Sequence, residues 1–308
     1  MSYEGAMLSE LKMPNRKEVE EALLQTLLKH NGVIKEFGAG EDIVEEIADE
    51  FDLNEKQKSA FLETVYRKEN RVKKSFLWHR LLFRAADSLA KEKLIARPSQ
   101  TLQLTNRREW MLTESGYDKA LELLEIPIQK KEFLPTKSFE VQKIIKKLQE
   151  TSRPINYNPF NLNKKVVKIT KVALLRQRGF RQAIIEAYEY KCAFCGLKIN
   201  SPDKLLWEVE AAHIVPHSSN GKDDIWNGLA LCHFHHWAFD VGWFSLQDDY
   251  KILVSPKIDS LPSDYGKMLN FNILGILLNI KSKIFLPQSK EMYPHQNSIR
   301  WHRETFFR

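Results

Sequence analysis

Cys192-Ala193-Phe194-Cys195 and Cys232-His233-Phe234-His235 are the two quartets on which the reading of this chain turns, and they hold all three of its cysteines. Cys-x-x-Cys sets two thiolates on one tight knuckle. Cys-x-x-His at the start of a helix adds a third sulfur and an imidazole, completing a tetrahedral N/S set that favours zinc. Gly196 follows the first pair, where a knuckle turn asks for a residue tolerant of positive φ. Four protein ligands leave no open position, so the expected role of the ion is structural, worth on the order of 10 kcal/mol of apparent folding energy. A redox pair is the weaker reading, because no thioredoxin-like βαβ pattern surrounds the motif. A plain zinc ribbon without chemistry is the other alternative.

The residues between and after the quartets argue against the plain ribbon. Glu208 to His217 reads as a strand ending at Pro216, followed by the polar loop Ser218 to Asp224. Asn227-Gly228-Leu229-Ala230-Leu231 then leads into the second quartet, and His236 opens a helix with Asp240 four residues on, along the same face. Here the chain resembles the HNH nucleases, whose ββα-metal module wraps one catalytic divalent ion; His213, Asn227 and His236 are the name-giving triplet in order. A flanking knuckle of two Cys pairs is common in that family, with His235 standing here in place of the last Cys.

The resemblance implies a role for each of the three. His213 would be the general base that deprotonates the attacking water, Asn227 would fix the loop and that imidazole, and His236 would bind a catalytic magnesium or other divalent ion. Cleavage would leave 5′-phosphate and 3′-hydroxyl ends. An imidazole with an ordinary pKa near 6.5 suits the base role. One departure stands out: many family members carry Asp immediately before the base, and this chain has Ala212. Asp240 is the expected substitute ligand and Glu210 a weaker one. A branch of restriction-type HNH proteins shares the Ala211-Ala212-His213-Ile214 pattern and the His235-His236-x-x-Phe239-Asp240 run. It also shares Arg178-Gly179-Phe180-Arg181 and a Trp301-His302-Arg303 close. Arg176, Arg178 and Arg181 are candidate DNA contacts, with pairing to an acidic neighbour the equal alternative for Arg181. His302 and His217 are expected to pack or to cap a loop.

Working outward, Val19, Leu23, Leu27 and Leu28 mark one helical face, Ile43, Ile47 and Phe51 a second, and Phe61, Val65 and Tyr66 a third. A fourth helix, about 76–91, turns Leu77, Leu81, Ala85 and Leu89 inward and Arg80 and Arg84 elsewhere. Two extended pieces follow, Leu102 to Thr105 and Trp110 to Thr113, joined by Asn106-Arg107-Arg108, and a helix closes the segment at about 117–124. Helices followed by a basic-tipped hairpin is the order of a winged helix. The segment resembles the N-terminal domain of Mrr-type restriction proteins in Trp78 to Leu94 and in Trp110 to Gly116. Arg80, Arg84, Arg107 and Arg108 are its candidate DNA contacts; such domains also serve as protein-protein modules. Residues 126–170 read as a basic linker broken by Pro127, Pro135, Pro154 and Pro159, with one helix at Phe139 to Glu150. From Ile126 to Arg181 there are 14 Lys and Arg against 3 Glu, although the 308-residue chain carries only +7 in total. Such a stretch is either a solvated face or a phosphate-contacting one.

These readings define an α+β protein: a winged-helix domain at 13–125, a basic linker at 126–170, and a ββα-metal HNH domain with a structural zinc knuckle at 171–308. No run reaches the roughly 18 apolar residues of a membrane span, and the 271–278 run is too short. The expectation is a soluble, cytoplasmic restriction-type endonuclease acting on double-stranded DNA, with a homodimer as one way to cut both strands. Its rivals are a modification-dependent enzyme and a DNA-binding regulator with an inactive HNH module.

Overall fold

The computed structural model describes residues 3–37, 42–66, 71–128, 131, 134, 136–161, 171–202, 206–262, 264–268, 271–272, 275, 278 and 282–307. Residues 162–170 of the expected basic linker, and half of the apolar run at 271–278, lie outside them. The chain divides into two units, Met1–Gln142 and Lys143–Arg308.

The first unit holds α1 (Tyr3–Glu10), α2 (Arg16–Lys29), β1 (Val33–Lys35), α3 (Asp42–Glu50), α4 (Glu55–Ser59), β2 (Phe61–Tyr66), β3 (Arg71–Phe76) and α5 (Leu77–Lys91). It continues through β4 (Ile95–Ala96), α6 (Pro98–Thr105), β5 (Glu109–Leu112) and α7 (Glu114–Leu123). α2 starts where Asn15 and Glu18 cap each other reciprocally, the side-chain oxygen of Asn15 accepting from the Glu18 N–H at 3.1 Å. Its stripe of Val19, Leu23, Leu27 and Leu28 is buried as the spacing predicts, facing Trp78, Leu82 and Ala85 of α5 in one core. The Trp78 indole donates to the Val44 carbonyl at 3.0 Å, so this large ring enters the core with its polar atom satisfied. Beside the helices lies an antiparallel sheet in the order β1-β5-β4.

Two elements differ from the sequence reading. Residues 61–66 are a strand, paired antiparallel with β3 from Phe61↔Phe76 to Tyr66↔Arg71. Phe61 and Val65 fit a helical spacing, but Thr64, Val65 and Tyr66 favour an extended chain once a partner strand is at hand. Residues 102–105 are the end of a helix and not a hairpin arm. Pro98 sits in its first turn after the Arg97 N-cap, and Asn106 ends it in the left-handed region at φ 57°. Asn106 thus closes a helix instead of turning a hairpin, and β5 pairs with β4 and β1.

α8 (Phe139–Glu150) runs across the unit boundary with the limits that its periodicity predicts. The second unit continues with α9 (Lys171–Ala187), β6 (Val209–His213), β7 (Gly228–Cys232), α10 (His233–Asp240), β8 (Phe244–Leu246), β9 (Ile252–Val254) and, beyond a short β ladder, α11 (Gln296–Thr305). Part of the expected linker is built into this unit. Arg153 donates to the Pro294 carbonyl and to Gln296, while Tyr157 packs edge-on against Trp226 and donates to Asp224 at 3.1 Å. β6 and β7 pair antiparallel from Val209↔Cys232 to His213↔Gly228, and α10 leaves β7 without a loop. This is a ββα unit whose two strands are too few to hold alone.

α11 locks that unit through His302. Its ring stacks on Phe239 at 3.5 Å, Nε2 lies 3.0 Å from the Phe239 carbonyl, and Nδ1 lies 2.9 Å from the Ser245 hydroxyl. Burial pushes the imidazole down to about 4, against a smaller opposing effect of that carbonyl. The unfolded chain then binds a proton that the folded chain refuses, so stability is lost as pH falls from about 6.5 toward 4. By pH 5 the expected loss from this group is about 2 kcal/mol. Melting curves at pH 7 and pH 5 check it against a His302→Gln variant, which should start less stable and lose less on acidification. An equal acid sensitivity in the two would remove His302 from the account.

Candidate functional site

The knuckle comes first because it positions everything else. Among the described residues, Cys192, Cys195, Cys232 and His235 bring three sulfurs and one ring nitrogen within 4.8 Å of one another. Gly196 turns the first pair at φ +79°, and the His235 ring, fully buried, stacks on Phe194 at 4.1 Å. Contacts from the Cys195 and Cys232 sulfurs hold the Cys192 thiol far down, while the Cys192 contact pushes Cys232 far up. Three touching thiols cannot all ionise on their own; a dication removes that conflict. The donor set could therefore bind zinc.

His213 ends β6 facing the middle of α9. Its ring stacks on Phe180 at 4.1 Å with the planes 19° apart. α9 comes this close because residue 228, opposite His213 in the ladder, is glycine. A Cβ there would run into the Ile184 side chain and come within 2.9 Å of the Phe180 ring. Asn227 is fully buried, and its side chain bonds to the loop and not to the His213 ring. Its side chain accepts from the Val215 N–H at 2.9 Å and donates to the carbonyls of Val215 at 3.0 Å and Lys222 at 2.9 Å. It thus clamps both ends of the 216–221 loop, while the contact that holds the imidazole comes from elsewhere.

That hold comes from Asp223, which sequence reasoning left in a polar loop. Its Oδ1 is 3.1 Å from His213 Nε2 and 2.9 Å from His217 Nε2, and its side chain is 10% exposed. Burial works to raise the Asp223 carboxyl, but the two imidazole contacts outweigh it and hold the group below the usual carboxylate range. Burial likewise lowers His213, partly offset by Asp223. His217 is therefore more than a loop cap. The three atoms also form a compact donor group, within 4.8 Å of one another. The available signal was an acidic residue just ahead of the Asn clamp, on a loop that must return to the strand it left.

His236 lies on α10 between two carboxylates. Nδ1 is 2.9 Å from Glu210 Oε2 and Nε2 is 3.5 Å from Asp240 Oδ2. Burial works to lower His236, but the Glu210 contact and the Asp240 charge more than reverse it. Burial raises the Asp240 carboxyl. An imidazole flanked by two acids suits a hard or borderline dication, and His236 with Asp240 or with Glu210 could hold one. His213 feels the charge of His236, and Asp240 that of His213, so the two halves share one neighbourhood. Ala212 is fully buried. The position before His213, where an acid was expected from the resemblance, is here part of the packing.

The arginines divide. Arg178 is only 7% exposed, which withdraws most of its surface from DNA. Arg176 is exposed, with its guanidinium 4.0 Å from Asp223, and the charge of Arg181 is a minor contributor, after the His236 contact, to lowering the Glu210 carboxyl. In the first unit Arg80 and Arg84 both bind Glu4, at 2.8 and 2.7 Å. Arg108 is paired with Glu36, and Arg107 is exposed beside it. No described helix is long and apolar enough to cross a membrane.

A strand ending at His213, a clamped loop and a helix with an acid-flanked imidazole together make a ββα arrangement whose donors could hold a dication. Residues 192–247 match the HNH endonuclease family model, so this segment is similar to an HNH endonuclease domain. No curated protein matches the chain. One solved structure, a modification-dependent TagI restriction endonuclease, is similar at 22% identity and a TM-score of 0.32. The likeness covers 46% of this chain and 44% of that protein, less than half the length of either.

Proposed function

We propose that the chain is a restriction-type endonuclease acting on double-stranded DNA, with His213 as general base and His236 and Asp240 as ligands of one divalent ion. The observation that carries this reading is the match of residues 192–247 to the HNH endonuclease family model, on a ββα unit where His236 lies between Glu210 and Asp240. When bound, the ion neutralises charge on the scissile phosphate and the leaving oxygen. His213 takes the proton from the attacking water, being held neutral by burial and so ready to accept one. Asn227 keeps the loop in place, and Arg176 and Arg181 lie near enough to steady the phosphates. The zinc at Cys192, Cys195, Cys232 and His235 is structural.

The first unit acts as a winged helix that selects the target through Arg80, Arg84, Arg107 and Arg108. Three of these are paired with Glu4 or Glu36, and DNA phosphates would compete for them. Two copies, one per strand, account for double-strand cleavage, and the protein works in the cytoplasm. The test is digestion of matched methylated and unmethylated plasmids in magnesium, manganese and chelator, with the ends sequenced. Magnesium-dependent cutting that leaves 5′-phosphates is expected. Binding without nicking in either metal would overturn the reading in favour of a regulator. Cutting of methylated DNA alone would make the enzyme modification-dependent.

A further inference from the structure

We propose that Asp223 is a positioning residue for the base: it fixes His213 in the Nε2–H tautomer and so leaves Nδ1 as the nitrogen that accepts the proton from water. The proposal deepens the nuclease reading and rests on His213 being the base. A neutral imidazole carries one N–H, and an ionised carboxylate accepts but cannot donate. With Asp223 Oδ1 3.1 Å from Nε2, the favourable arrangement places the proton on Nε2. The opposite tautomer would set a lone pair against a carboxylate oxygen.

Four further contacts keep this arrangement from relaxing. Phe180 stacks on the His213 ring and restricts its plane. The His217 Nε2 lies 2.9 Å from the same Asp223 oxygen, and the Arg176 guanidinium reaches to 4.0 Å from the other. The carboxylate is therefore held from both sides and remains ionised. Asn227 binds the carbonyl of Lys222, the residue immediately before Asp223, so the backbone carrying the acid is fixed by a buried side chain. The geometry is that of a general base oriented by an acid that never leaves its place, and the proton it directs ends on His213 Nδ1 after attack.

The experiment has two readouts on the full zinc-loaded chain. Long-range ¹⁵N–¹H spectra of histidine-labelled protein without DNA, at a pH where His213 is neutral, report its tautomer directly. Nε2–H is expected in the wild type, with a shift toward Nδ1–H or a mixture in Asp223→Ala and Asp223→Asn. The isosteric Asn variant covers the case in which Ala does not retain zinc. Single-turnover cleavage should fall about 10²-fold or more in the Asn variant, with KM changed little. An Nδ1–H wild type, or variants whose tautomer and rate match the wild type, would overturn the assignment. Cleavage that survives His213→Ala would instead remove the base reading, while the tautomer spectrum would still judge the Asp223 contact on its own.

Discussion

Replacing His213 by alanine is expected to lower strand cleavage by about 10²- to 10⁴-fold while zinc content and DNA affinity stay close to wild type. The size follows from what the residue supplies. Without a positioned base, water must lose its proton to solvent during attack, and the ion alone carries the remaining catalysis. The selectivity follows from its place in the fold. His213 is the last residue of β6, opposite Gly228, and its backbone pairing does not depend on the imidazole. The side chain is 18% exposed and stacks on Phe180, so truncation bares one face of that ring. Asp223 keeps His217 as a partner. Cleavage kinetics, metal analysis and a binding isotherm on one preparation decide the matter; full cleavage by the variant would strip His213 of the base role.

Removing zinc should have the largest effect on folding. Chelation, or Cys232→Ser, is expected to unfold the second unit, with a loss on the order of 10 kcal/mol of apparent folding energy. The β6/β7 pair is a two-stranded ladder, marginal by itself. Cys192 and His235 are fully buried and Cys232 nearly so, so the knuckle is the interior of this unit and not an ornament on it. Without the ion, thiols in mutual contact would have to stay protonated around a buried imidazole, beside Phe194 and Phe244 that pack with it. Circular dichroism and zinc release during chelation provide the check. A zinc-free chain that keeps its melting transition would show that packing suffices.

Much of this architecture could be read from residue spacing because metal coordination imposes spacing. Cys192-x-x-Cys195 and Cys232-x-x-His235 had to meet, which brought β6 beside β7 and His236 to the start of α10. Helix faces were equally plain in α2 and α5, whose apolar stripes repeat over several turns. Short segments carried less information. Phe61 to Tyr66 fits two periods, and only the partner strand at Arg71–Phe76 decides between them. Leu102 to Thr105 follows Pro98, a helix-starting signal that outweighed the hairpin reading. Asp223 was opaque for a different reason: its meaning depends on a loop clamped by Asn227 returning it to His213, a tertiary fact with no local pattern. Arg178 looked like its neighbours in sequence and differs by burial alone.

The bare backbone at Gly228 ties two properties together that an engineer would prefer to tune separately. Any side chain introduced there pushes Ile184 and Phe180 outward, and with them the wall against which the reactive ring rests. A graft that borrows the β6/β7 hairpin and its Cys/His knuckle from this chain therefore has to bring α9 along, or the His213 ring loses the wall on which it stacks.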